Sequence, residues 1–247
     1  MSEMPPARVV SIQVGKVRTE GESTSADSMN RKWTTAFYKK PVVGSVNVYR
    51  LGVQGDEIAD RKHHGGLDKA VLAYSASHYL RWRTELSLDD FGVGHDTGGD
   101  LFGDSPPTFS LDQFGPGAFA ENLTIDGLDE ANVCIGDRYQ IGDESENSLI
   151  VEVSQPREPC WKISRRWKHK TLTKLVGKTG RTGWYFRVIR EGSVGQGDPV
   201  TRITRIHQDW SIARANDVLL GREADRFAVA ELMAMTVLSE AWKKSLS

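Results

Sequence analysis

The feature that most limits what this chain can fold into is a series of short apolar runs, alternating with polar residues and closed off by glycine, with 24 glycines spread through 247 residues. Alternation with a period of two puts every second side chain on one face, which suits a half-buried β-strand and not a helix. In the first run Val9, Ser11 and Gln13 fall opposite Val10, Ile12 and Val14. KPVVGSVNVYRLGV carries Val43, Val46 and Val48, SLIVEVSQ alternates Leu149, Val151 and Val153 with polar neighbours, and DPVTRITRI repeats the habit near residue 200. The pattern predicts a mainly β chain with an antiparallel, barrel-like sheet.

Other stretches break the pattern. GESTSADSMNR, between Gly21 and Arg31, is rich in Ser, Asp and Thr and reads as an exposed loop. From Phe91 to Phe109 there is little apolar material and many turn formers, which predicts a surface excursion. ASHYLRWRTEL has helical spacing, with Tyr79, Trp82 and Leu86 on one face. After His207 the helical period takes over. Ile212, Ala215 and Leu219 follow a capping Ser211 and end at Gly221, Ala224, Phe227, Ala228 and Leu232 form a second stripe, and SEAWKKSL begins at a second cap, Ser239. The chain thus divides into a β domain over residues 1–206 and a three-helix module over residues 207–247.

Composition narrows the function classes. A formal net charge of -1 provides no global positive field for holding nucleic acid. No stretch is apolar enough to cross a bilayer, so the expectation is a cytoplasmic protein without membrane or nucleic-acid partners. Two cysteines are too few for a disulfide framework, and a chain of this length buries a core without one.

The cysteines sit in different surroundings. Cys134, in NVCIGDRYQIG, reads as a small buried hydrophobe ahead of a Gly-Asp turn. Cys160, in SQPREPCWKISRR, follows two prolines that stiffen the backbone and lies near Arg157, Lys162, Arg165 and Arg166. Cations that fold close to the sulfur favour the thiolate, the form that acts as nucleophile or soft-metal ligand. A structural cysteine beside a solvated basic face is the alternative.

A second cluster, GDEIADRKHHGGLDKAV, combines Asp60, Arg61, His63, His64, the Gly65-Gly66 pair and Lys69. Paired glycines let backbone N–H groups approach an anion, and the cations could neutralise it, although a charged turn between strands would look the same. In PGAFAENLT, Glu121 and Asn122 follow a turn, where the amide could bond either a heterocycle or the backbone. Paired cysteine spacing and HExxH are both missing, which argues against zinc. Lys168, His169, Lys170, Lys174, Lys178 and Arg181 read as a solvated face, or a dock for an acidic electron donor.

The succession LGVQGDEIADRKHHGGLDKAV, GAFAENLT, VCIGDRYQIG, VSQPREPCWKI and RTGWYFRVIREG resembles the MOSC domain, in the bacterial subfamily with a C-terminal three-helix module. The likeness covers the chain from about Lys39 to its end. It implies a closed, irregular β-barrel with a few helices. It further implies a molybdenum cofactor whose metal is ligated by Cys160, and a molybdenum-dependent oxidoreductase that reduces small N-hydroxylated compounds. On this reading Arg61, His64, Gly65, Gly66, Lys69, Asn122 and Arg157 bind the cofactor, while His64 or Asp60 supplies a proton. No flavin or nicotinamide fingerprint occurs, so a separate reductase is expected to bring the electrons. Two alternatives stay open: a non-catalytic molybdopterin or sulfur carrier using Cys160, and a metal-free thiol enzyme with His63 or His64 as base. The family usually has glycine where this chain has Ala120, whose methyl group is expected to exclude a positive φ and shift the loop. The helical tail is expected to be a lid over apolar barrel surface, or a docking site for the reductase.

Overall fold

The structure, a computed structural model, describes residues 6–86, 111–144 and 148–247. The predicted excursion between Phe91 and Phe109 lies outside the described residues. The first half contains β1 (Arg8–Val14), β2 (Arg18–Glu20), β3 (Trp33–Thr35), β4 (Lys40–Pro41), β5 (Val46–Tyr49), β6 (Gly52–Val53), β7 (Val71–Ser75) and α1 (Ser77–Glu85). Next come β8 (Leu123–Asp126), β9 (Arg138–Ile141), β10 (Leu149–Pro156), α2 (Lys162–Trp167), α3 (Leu172–Thr179) and β11 (Trp184–Arg190). Then follow β12 (Gly192–Val194), β13 (Val200–Thr204), α4 (Ile212–Leu219), α5 (Ala228–Ala234) and α6 (Glu240–Lys243).

Eight strands form one curled sheet in the order β13-β9-β10-β11-β7-β8-β1-β4. Mainly β is right; a closed barrel is not, because the ladder ends at β13 and β4. The approach to β13 meets β1 only through a bridge between Arg8 and Pro199 and scattered backbone bonds such as Val9 N to Asp198 O at 2.9 Å. β7 and β8 run parallel, linked through α1; the other pairs in this sheet are antiparallel.

Local irregularities explain where simple alternation fails. In β1 a register shift between Val9 and Ser11 leaves Val9 and Ile12 buried together, three residues apart, and turns Val10 away from its expected place beside Ile12. Val43 falls outside the strands and is 99% exposed, whereas Val46 and Val48 are buried. β13 is an edge strand with only Val200 buried, so Ile203 faces solvent. In β10 the polar Glu152, Ser154 and Gln155 are as buried as the valines, because that face is covered too.

The sheet's two faces have different tasks. Val71, Ala73, Leu123, Ile125, Val151, Val153, Trp184 and Phe186 enter the main core. Their alternates, Leu72, Tyr74 and Tyr185, face the other way. Tyr74 joins a second, aromatic core with Tyr79, Trp82, Phe114, Phe119 and Trp167, which α1, α2 and α3 help build. Leu72 and Tyr185, register partners in adjacent strands, are left as the floor of a cavity.

The tail is part of the main core. Trp210, Ile212, Ala215, Ala228, Leu232, Met235, Leu238 and Trp242 all pack into it, as a lid requires. Ser211 and Ser239 cap α4 and α6, accepting from Arg214 N and Trp242 N. The second predicted stripe is shorter than expected. Ala224 and Phe227 are exposed, since Asp225 accepts from Phe227 N and delays α5 until Ala228. Among the described residues no helix is long and apolar enough to cross a membrane.

Candidate functional site

The cavity is walled by loops that meet at Leu72 and Tyr185: the approach to β4, residues 56–69 before β7, the start of β8, and the chain after β10. These loops bring Asp60, His64, Gly65, Lys69, Asn122, Arg157 and Cys160 to one place. Of the residues expected at a cofactor site, Arg61 and Gly66 are not in the lining and are exposed.

Arg157 defines one wall. It follows directly on β10, donates its backbone N–H to Gly183 O at 3.0 Å, and is only 3% exposed. Its guanidinium donates to the carbonyls of Phe119 (3.2 Å) and Thr182 (3.4 Å), and no carboxylate pairs with it among the described residues. Lys69, whose Nζ donates to His63 O at 3.0 Å, and Lys162 likewise have no ion pair there. A buried cation with only neutral acceptors is costly, and an anion entering the cavity offsets that cost.

His64 reports the resulting field. Burial, then the positive charges of Arg157, Lys162 and Lys69, lower its imidazole to about 4, against a weaker opposing pull from Asp60. His64 is therefore neutral at physiological pH. Burial would raise the Asp60 carboxyl, but the His63 ring, 3.0 Å away, and the backbone N–H groups of Lys62 and His63 outweigh it and hold Asp60 below its ordinary value. At the floor, burial pushes the Tyr185 hydroxyl up to about 12, with Arg157 pulling the other way. Gly65 has φ +77, and an added Cβ would meet the tip of the Ile58 side chain, so glycine is favoured where the loop turns into the cavity.

Among the lining residues that sequence reasoning missed are Lys39, Asp56 and Tyr185. Lys39 Nζ meets Asp56 Oδ2 at 2.5 Å, with side chains 8% and 12% exposed. Burial lowers the lysine's pKa, and the aspartate partly restores it. A lysine is ordinarily a surface residue, so only its apolar setting, AFYKKPVV, hinted otherwise. Asn122 belongs to the same network. Its Nδ2 donates to Asp56 Oδ2 (2.8 Å) and Gln13 O (3.2 Å), and its Oδ1 accepts from Leu72 N (3.2 Å). Both donors are spent inside the protein, so what Asn122 can still offer a ligand is an acceptor lone pair.

Ala120 corrects an expectation. Its φ is +64 despite the methyl group, a strain on the order of 1–2 kcal/mol. The neighbouring Glu121 holds the turn in place: its buried carboxylate accepts from Gly117 N, from Phe119 N at 3.0 Å and from the Tyr79 hydroxyl. The loop keeps its shape because the carboxylate would lose those partners if it relaxed.

Of the four cations near Cys160 in sequence, only Arg157 and Lys162 line the cavity. Arg165 lies over the rings of Trp161 and Trp33, and Arg166 over those of Tyr38 and Trp167. The expected solvated basic face holds for Lys168, Lys170, Lys174 and Lys178, which are exposed, with Lys168 Nζ donating to Met29 O and Asn30 Oδ1. It does not extend to His169, which is buried, or to Arg181, which makes a two-pronged pair with Glu85.

The MOSC domain profile matches residues 60–201, more than half of the chain, and spans the loop from Asp60 as well as Arg157 and Cys160. The chain belongs to the MOSC domain family. A YiiM-like 3-alpha helix domain matches residues 210–247 of this MOSC protein. YflK of Bacillus subtilis is 34% identical over 237 residues, covering 96% of this chain and 91% of the relative. A protein named "Reductase" from Gibberella moniliformis is 31% identical over 92% of the chain, which spans only 34% of that longer protein. The crystal structure of YiiM from Geobacillus stearothermophilus matches with a TM-score of 0.68 at 30% identity, covering 98% of this chain and all of that one (100%).

Proposed function

We propose that this MOSC protein holds a molybdenum cofactor in the cavity through Cys160 and reduces N-hydroxylated small molecules: N-hydroxylated bases, amidoximes or hydroxylamines. The observation that carries the reading is that Arg157, Lys162 and Lys69 line the same cavity as Cys160 without carboxylate partners among the described residues, where burial together with their field keeps His64 neutral. Such a setting suits a phosphate-bearing ligand. Among the described residues no group of three or more His, Cys, Asp or Glu side chains is placed to hold a metal ion. A metal bound here would therefore come already ligated by an organic scaffold, with Cys160 adding one soft donor.

Bound there, the cofactor supplies two-electron oxygen-atom chemistry. Overall, R–NHOH takes up two electrons and two protons, the N–O bond breaks, and the products are R–NH2 and water. The chain's residues handle position and protons. Arg157, Lys69 and Lys162 hold the anionic part, and Gly65 lets the loop backbone approach. Neutral His64 can donate at one ring nitrogen and accept at the other, which suits relaying a solvent proton to the departing oxygen. Ionised Asp60 can accept but not donate. The electrons come from a separate reductase.

The relative named "Reductase" supports this reading, but its extra length favours one rival, a cofactor-holding module that does not turn over substrate itself. Protein from a cofactor-competent host, reduced chemically and given an N-hydroxylated substrate, is expected to release the amine or amidine, and to release none with NADH alone. Molybdenum without turnover on any such substrate supports the carrier. Metal-free protein with rapid Cys160 chemistry supports a thiol enzyme.

A further inference from the structure

Beside the cavity runs an open groove that shares Ala59, Asp60 and Lys162 with it and adds Trp33, Trp161 and Arg165. Trp161 follows Cys160 directly in the chain, yet 52% of it is exposed, an unusual state for the largest apolar side chain beside a functional residue. Its orientation is fixed. The ring centroids of Trp161 and Trp33 lie 5.6 Å apart at 56°, and the Arg165 guanidinium sits 4.7 Å from the Trp161 centroid. Arg165 is itself anchored, donating to Arg31 O at 3.3 Å and to Ser28 O in the hairpin loop between β2 and β3. Trp33 is buried, so Trp161 presents the accessible ring surface.

The two compartments differ chemically. The cavity offers charged side chains of both signs, a neutral imidazole and a thiol; the groove, charged at Lys32, Asp60, Lys162 and Arg165, adds the aromatic surface that the cavity wall beside Cys160 lacks. A flat π system gains from such a surface through area and stacking, and an aliphatic compound of the same functional group does not. Resting on the reductase reading above, we infer that Trp161, held by Trp33 and Arg165, is a specificity-determining shelf that selects N-hydroxylated compounds carrying a planar aromatic or heteroaromatic ring. The ring lies against the shelf while the N–O group reaches towards Cys160.

The test compares benzamidoxime with acetamidoxime, which share the reacting group and differ in the ring. Binding is followed by calorimetry on the molybdenum-containing protein, together with kcat/KM under chemical reduction. The wild type is expected to prefer the aromatic compound by about tenfold in Kd. Trp161→Leu, which keeps apolar bulk without a π face, is expected to lose most of that preference at unchanged molybdenum content and melting temperature. Trp161→Phe retains much of it. An unaltered preference in Trp161→Leu overturns the shelf, and so does loss of molybdenum from that variant, which would make the ring a cofactor support. If the binding preference follows Trp161 but neither compound is reduced, the shelf stands and the reductase reading falls.

Discussion

Cys134 lies under the helical tail, 2% exposed, with its Sγ donating to Gln208 O at 3.5 Å, whereas Cys160 is half-buried at the wall of a cationic cavity. Burial, then the Asp137 carboxylate, push the Cys134 thiol up. That cysteine belongs to the seam joining tail to sheet, where it bridges to Ser211 while Ile135 N donates to Trp210 O and Ile212 N to Val133 O, both at 2.9 Å. The charged neighbours at the Cys160 cavity wall include Arg157 and Lys162. The same side chain is packed away in one place and lines a cavity in the other, and the difference is made by what surrounds it.

The largest expected effect is on reactivity. In protein made in a host that lacks the cofactor, iodoacetamide should modify Cys160 about a thousandfold faster than Cys134, since the buried thiol reacts only when its surroundings open; peptide mass spectrometry gives both rates, and comparable values would erase the distinction. The next concerns the field around Cys160. With its folded value lowered from 6.5 to about 4, His64 takes up a proton more readily in the unfolded chain. Its contribution is thus fully favourable above pH 6.5 and falls by about 3 kcal/mol as pH drops towards 4. His64→Gln should flatten that part of the stability profile in urea unfolding, and an unchanged slope would mean that neither burial nor the cations shift this ring. Smaller still are the costs of removing each sulfur. Cys134→Ala should cost about 1–2 kcal/mol through a void in packed surroundings, and Cys160→Ala less than about 0.5 kcal/mol. Equal costs, again by urea unfolding, would place both thiols in the core.

Much of the fold was legible because burial alternates along strands such as β5 and capping serines start α4 and α6. What was not legible depends on contacts distant in sequence. The exposure of Val43, the bulge in β1 and the open ends of the sheet follow from how strands register, and local pattern does not record register. At the site, Cys160, Arg157, His64 and Lys69 stood out by residue type and loop chemistry. Lys39 and Asp56 did not, because their pairing exists only after two loops fold together. Ala120 shows the limit of a residue rule: its strained backbone is held by the carboxylate next door. Arg165 and Arg166 were grouped with Cys160 by proximity in sequence, yet α2 directs them to aromatic rings instead.

The most direct test is the molybdenum content of wild type, Cys160→Ala and Cys134→Ala, each purified from a host that makes mature cofactor and measured by elemental mass spectrometry against protein concentration. Wild type and Cys134→Ala should carry close to one molybdenum per chain and Cys160→Ala almost none, although all three are folded. Molybdenum in Cys160→Ala at the wild-type level, or its absence from all three even after reconstitution, would contradict the assignment of Cys160 as the ligand.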